Sequence, residues 1–149
     1  MRALKIPFAA ATLASLAACA TPPSSPTAAP GPNPADPAMA GRLFAETCMA
    51  TAPQFAGLAA AMASYPMTQN AGTGTYYHNT QDLSVKRVGT GANGSCSIVL
   101  GSNASHADMA SAFAGAIDAT NPSDGTTITL QAAGQFNGRS ILNARIDAQ

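Results

Sequence analysis

The chain has no tryptophan, only 5% aromatic residues and only 9% charged residues, and each shortage removes a class of function. Acidic and basic side chains number seven each, for a formal net charge of zero. The only adjacent basic pair beyond the N-terminus is Lys86-Arg87. Nucleic-acid binding requires a cationic stripe that releases counterions from phosphates, so DNA and RNA are excluded as partners. Histidine occurs twice, as His78 and His106, each with only a single carboxylate (Asp82, Asp108) within a few residues. A zinc site needs three or four closely spaced ligands, so no metal is expected. The sequence holds no Gly-x-Ser-x-Gly elbow, and its carboxylates are scattered singly. Neither a serine triad nor paired acid–base carboxylates can be assigned, and no catalytic residue or cofactor is expected. No segment approaches 18 uninterrupted apolar residues, which argues against a spanning helix.

What is present is concentrated at the start. Arg2 and Lys5 precede an apolar run from Ile6 to Ala18, broken only by Pro7, Thr12 and Ser15. The run is too short for a bilayer, which takes roughly 20 apolar residues, and its charge order fits an export signal. It closes on Leu16-Ala17-Ala18-Cys19. That tetrapeptide resembles the lipobox of bacterial lipoproteins. The resemblance implies a signal peptide over residues 1–18, cleavage before Cys19, and palmitate-type acylation of Cys19 on its thiol and amine. Several acyl chains anchor a protein durably, each buried methylene adding ~0.8 kcal/mol. Ala20, rather than Asp, follows the cysteine. The expected location is therefore the outer membrane, lipid-anchored and facing the periplasm, with the bilayer itself as first partner.

Residues 19–37 read as anchor and linker. Pro22, Pro23, Pro26, Pro30, Pro32, Pro34 and Pro37 alternate with small residues and favour extended polyproline II, reaching up to ~55 Å. Residues 38–149 suit a single domain. With Cys19 assigned to lipid, Cys48 and Cys96 remain, and an oxidising periplasm allows them to pair. The rival is two buried, unpaired thiols.

The periodicity predicts an α+β domain. Asp36-Pro37 reads as an N-cap with proline in the first turn, and Met39, Leu43, Phe44 and Cys48 share one helical face. Thr51 and Gln54 have capping-box spacing ahead of Phe55, Leu58, Met62 and Tyr65, a second helix that Pro66 stops. Strands are expected at 75–78, 83–88 and 95–100, with Cys96, Ile98 and Leu100 facing inward. Ser105 and Asp108 cap a third helix carrying Met109, Phe113, Ala116 and Ile117, ended by Asn121-Pro122. The segments 126–136 and 139–147 flank Asn137-Gly138, the strongest hairpin dipeptide. A plain two-residue loop would place the two apolar sets on opposite faces. Parity is restored by a three-residue loop, 136–138, with Gly138 left-handed in a bulge. The expected order is α-α-β-β-β-α-β-β, an antiparallel sheet of about five strands with helices on one face.

Three further patterns bear on function. Residues 89–94 formally match G-x-G-x-x-G, but a strand rather than a helix follows, so the segment reads as a hairpin loop. Tyr76-Tyr77-His78 is the most aromatic polar patch and the expected contact for an envelope protein or glycan. The order Cys48, His78, His106 is similar to that of exported cell-wall cysteine hydrolases, which would make Cys48 the nucleophile and His78 its partner. Those enzymes place the nucleophile in Asp-Cys-Ser-Gly at a helix N-terminus, whereas Glu46-Thr47-Cys48-Met49 falls at a helix C-terminal end, where the dipole disfavours a thiolate. In Leu43-Phe44, Cys48, Pro53-x-Phe55, Tyr77-His78 and Leu83-Ser84-Val85-Lys86 with Cys96, the domain resembles small lipoproteins of Gram-negative bacteria, a resemblance that implies no activity. The reading is a membrane-anchored periplasmic lipoprotein acting as a non-enzymatic binding or envelope-accessory module; the alternative is a periplasmic hydrolase using Cys48 and His78.

Overall fold

The computed structural model describes residues 32–89 and 93–149. Residues 1–18, expected to be a signal peptide, and Cys19 lie outside the described residues. The fold is α+β: a six-stranded, wholly antiparallel sheet with helices over one face. Helix α1 spans Pro37–Phe44 and runs directly into a π-helical segment, Ala45–Met49. Helix α2 is the short Leu58–Met62, and α3 is His106–Thr120. The strands are β1 Met67–Gln69, β2 Tyr76–His78, β3 Leu83–Val88, β4 Ser95–Ser102, β5 Thr126–Phe136 and β6 Arg139–Ala148. Their order across the sheet is β1-β2-β3-β4-β6-β5, so the last hairpin inserts β6 beside β4 and leaves β5 at the edge.

Helix starts follow their caps. The Asp36 carboxylate accepts from the N–H groups of Ala38 (2.9 Å) and Met39 (3.4 Å), with Pro37 in the first turn. Ser105 Oγ accepts from Asp108 N–H (3.1 Å) while its hydroxyl donates to the Asp108 carboxylate (2.7 Å), and Asn121 ends α3 at positive φ. Both helices thus satisfy first-turn N–H groups that have no partner within the helix.

The second helix is shorter than its periodicity suggested, and the capping box at Thr51 does not form. Thr51 Oγ1 instead donates backwards, to the carbonyl of Thr47 (2.7 Å), and Thr47 Oγ1 donates to that of Leu43 (2.5 Å). Phe55 then takes a left-handed φ of 52° and is wholly buried, so the chain turns before α2 can begin. A sixth strand, β1, also went unforeseen. It is three residues long, with only half-buried or exposed side chains, and carries no alternating apolar signal.

Alternation along the central strands sets the two faces. Leu83 and Val85 of β3, Cys96, Ile98 and Leu100 of β4, and Leu142, Ala144 and Ile146 of β6 are all buried beneath the helices. Met109 and Phe113 of α3 and Leu43 and Phe44 of α1 close this core, with the Phe44 and Phe113 rings 5.8 Å apart and tilted. Gly41 permits the helices to approach, since a Cβ there would lie 3.0 Å from the Ala112 carbonyl oxygen. Cys48 and Cys96 meet in the same core at disulfide-bonding distance, Cα to Cα 5.4 Å, tying the π-helical segment to the central strand.

The parity shift in the last hairpin exists, but elsewhere than expected. Asn137 and Gly138 both have positive φ, and Phe136 pairs with Arg139, so the loop is a two-residue turn of the I′ kind. The extra residue lies between Ala132 and Gln135, where Gly134 has φ 84°. Beyond it Ile128 pairs with Ile146 and Leu130 with Ala144, which brings both apolar sets to the helix side. The turn dipeptide fixes the loop length, and glycine's freedom three residues earlier absorbs the register conflict.

Residues 32–36, assigned to the linker for their prolines, are built into the domain. Asn33 N–H donates to the Thr80 carbonyl and Ala35 N–H to that of Gly101, both at 2.8 Å, and Ser102 Oγ donates to the Ala35 carbonyl (2.8 Å).

Candidate functional site

The helices cover one face of the sheet, and the residues between the buried ones define the other. One row of this open face runs Tyr77, Ser84, Val99, Asn143, Gln131 across five strands, each opposite the next in register. A second runs Lys86, Ser97, Arg145, Thr129. The face is mostly hydroxyl and amide, and three of the largest exposed apolar side chains interrupt it: Tyr77 (49% exposed) and Val99 on the sheet, and Phe136 at the hairpin tip. In the first row, Asn143 Oδ1 is shielded from solvent with no hydrogen-bond partner among the described residues.

A groove of about 230 Å³ opens between Tyr77, Ser84, Val99 and Ile141, with Pro32 and Asp82 on its rim. It adjoins a cleft of about 380 Å³ in which Phe136, Asn137 and Arg139 join Pro32, Asp82 and Ile141. Together they reach the size range of small-ligand sites, and their walls combine apolar area with a few polar groups.

An ion pair organises the shared rim. Arg139 Nη1 donates to Asp82 Oδ2 at 2.9 Å, and its Nη2 donates to the Pro32 carbonyl at 2.6 Å, so one guanidinium holds the incoming chain to the sheet. Gly101 keeps this geometry open, because a Cβ there would collide with Asp82 Oδ2. The pair is partly exposed, and its contribution to stability is about 1 kcal/mol or less. Its main effect is to fix where residue 32 leaves the sheet.

The aromatic patch read from the sequence is divided by the strand it sits on. Tyr77 projects onto the open face. Tyr76, one residue earlier, packs against the core on the helix side and lines a separate cleft of about 340 Å³ with Phe55, Leu58, Gln69 and Arg87. There Arg87 Nη1 donates to the Phe55 carbonyl at 3.0 Å. His78 borders the open-face groove, but its Nδ1 accepts from the N–H groups of Thr80 (3.2 Å) and Gln81 (3.1 Å). Its ring closes the turn into β3, which leaves only Nε2 for any other partner.

Cys48 is wholly buried and joined to Cys96, so it offers no thiolate to a substrate. His106, the other histidine, stands at the first turn of α3 and donates from Nε2 to the Gly134 carbonyl in the β5 bulge (3.0 Å). No group of three or more His, Cys, Asp or Glu that could hold a metal occurs among the described residues. No helix among them is long and apolar enough to cross a membrane. Val88 pairs with Ser95 on either side of the glycine-rich segment, in keeping with a hairpin connection, although residues 90–92 lie outside the described residues.

Sequence periodicity could not find Val99, Ile141, Asp82 and Arg139 as one site, because they come from β4, β6 and the residue ahead of β3 and meet only through strand pairing. The available signal was compositional: Val99 and Ile141 are apolar residues at outward positions of otherwise alternating strands. Compared with known proteins, the chain matches no family model, no curated protein and no solved structure.

Proposed function

We propose that this chain is an envelope lipoprotein, anchored in the outer membrane through acylated Cys19 and facing the periplasm, whose domain is a non-enzymatic binding module. The single observation that carries the binding role is the sheet face left open among the described residues, where Tyr77 and Val99 line a largely apolar groove beside Ser84 and Ile141 and Phe136 stands exposed in the adjoining cleft. An aromatic ring beside aligned hydrogen-bonding side chains suits an envelope glycan or the side chains of an envelope protein. The anchoring role rests on the order of charge, apolar run and Leu16-Ala17-Ala18-Cys19. The proline-rich tether gives such a module reach above the membrane. The hydrolase reading needs a free Cys48 thiol, and no observation favours it.

Both halves are tested on protein isolated from its native membrane. Non-reduced mass spectrometry is expected to find acyl chains on an N-terminal Cys19; a soluble chain with an unmodified Cys19 ends the anchoring proposal. For the binding half, a photoreactive residue replaces Tyr77, with a control at Ala114 on the exposed side of α3. A discrete glycan or protein adduct at position 77 and none at 114 is expected. Equal labelling at both positions, or none at 77, removes the open face as the site.

A further inference from the structure

Among the described residues the sheet ends on β5 with its hydrogen-bonding edge uncovered, and this edge is self-complementary. Gln149 N–H donates to the Gly125 carbonyl (2.8 Å), which fixes residue 125 as turned towards β6. Antiparallel pairing alternates, so Thr127, Thr129 and Gln131 also bond inward. The N–H and C=O groups of Thr126, Ile128, Leu130 and Ala132 therefore point away from the sheet, and among the described residues no strand lies beyond them. Exposed edges are normally blunted by charge, proline, shortness or a covering element. The opposite edge, β1, is only three residues long. On β5, residues 126–136 contain no charged residue and no proline, and the first four are all β-branched.

We propose that β5 pairs with β5 of a second copy of this chain, antiparallel about a two-fold axis at Thr129. In that register Thr126 faces Ala132 and Ile128 faces Leu130, each twice, so all four outward-pointing residues of both copies exchange backbone hydrogen bonds. Ile128 and Leu130, half-buried on the helix side, gain an apolar neighbour. On the open face, exposed Thr129 meets its counterpart in a close, non-hydrogen-bonded pair. No like charges are brought together. The pairing stops where the ladder kinks, since the Gly134 carbonyl is already taken by His106. The two open faces join into one, with all helices on the other side. The chain's own tether does not fit this edge, because Pro22, Pro23, Pro26, Pro30 and Pro32 lack the donors a strand requires. This inference is independent of the ligand proposed above.

The test uses the full chain in its membrane and purified in detergent. Thr129→Cys is expected to form a covalent dimer on a non-reducing gel, since directly opposed, non-hydrogen-bonded positions meet disulfide geometry. Thr127→Cys, opposite residue 131 in this register, is not, and the wild-type lane controls for Cys19. Thr129→Lys places two like charges across the axis and is expected to weaken dimerisation, read by light scattering of the purified protein, by roughly tenfold or more. Its side chain is exposed, so the thermal transition of its circular dichroism should be that of the wild type at matched monomer content. A wild-type monomer at all concentrations, equal cross-linking at 127 and 129, or a foreign strand captured at Thr129 in place of a second copy overturns the proposal.

Discussion

At the scale of single residues, polar groups are placed where they hold backbone rather than where they react. Thr47 and Thr51 close the widened π-helical turns, His78 closes the turn before β3, and Arg139 bridges β6, Asp82 just ahead of β3, and residue 32. The phenol of Tyr65 has a displaced protonation equilibrium. Burial, a hydrogen bond from its phenol to Glu46, and the Glu46 charge push its pKa up to about 12, with Arg42 opposing. The folded state therefore holds the phenolic proton more tightly than the unfolded chain. Its contribution to stability is fully present below pH 10 and is lost as the pH rises towards about 12. Urea midpoints measured across this alkaline window should fall more steeply for the wild type than for Tyr65→Phe, and phenolate absorbance should lose its latest step in that variant. Parallel curves for the two proteins would mean that Tyr65 is solvated like an ordinary tyrosine.

At the scale of elements, the sequence was readable where local chemistry and tertiary pairing agree. The ranges of β3 and β5 matched in full, and the start of α3 followed from Ser105 and Asp108, because alternation and capping are both decided within a few residues. Reading failed where a residue had two uses. Thr51 could cap α2 or bond back to Thr47, and only the packed chain selects the second. The three-residue loop expected over 136–138 does not form, since Phe136 pairs with Arg139 across a two-residue Asn137-Gly138 turn, whereas the parity shift that the apolar sets demanded is present within β5. Gly134, which reconciles them, has no signal of its own amid Ala132, Ala133 and Gln135. The candidate site was half legible for the same reason: adjacency in Tyr76-Tyr77 suggested one patch, yet a strand sends neighbours to opposite faces. The bulge can be tested directly. Deleting Gly134 forces either the turn or the ladder out of register and strips Ile128 and Leu130 of their half-buried places, an expected loss of about 3 kcal/mol in urea unfolding. Gly134→Ala keeps the extra residue and strains only its positive φ, an expected loss of about 1 kcal/mol. Equal losses for both variants would show that the register is set by something other than the bulge.

At the scale of the whole molecule, one layer of helices lies on one sheet, and a single core of buried side chains joins the two. The aromatic content is low, and the core depends on Leu43, Phe44, Phe113, Ile98, Leu100 and Ile146. Cys48 to Cys96 is the covalent tie between the layers, and it closes a loop with a sequence separation of 48. In the chain-entropy account a cross-link of that span stabilises by about 4 kcal/mol, chiefly by restricting the unfolded chain. A small domain holds roughly 5–15 kcal/mol in all, so the bridge would be a large share of the margin that keeps the sheet and its edge strand folded. Replacing both cysteines by alanine leaves the apolar surroundings nearly filled. The double variant should therefore unfold at lower urea with a loss of about 4 kcal/mol, plus about 1 kcal/mol for the missing sulfur contacts. Reduction of the wild type should reproduce most of that loss, while leaving the Cys48→Ala/Cys96→Ala protein unchanged. If the reductant has no effect on the wild type, the two sulfurs are not bonded in solution. The tie between helix layer and sheet would then have to come from noncovalent packing of Leu43, Phe44, Met109 and Phe113 on the buried strand residues.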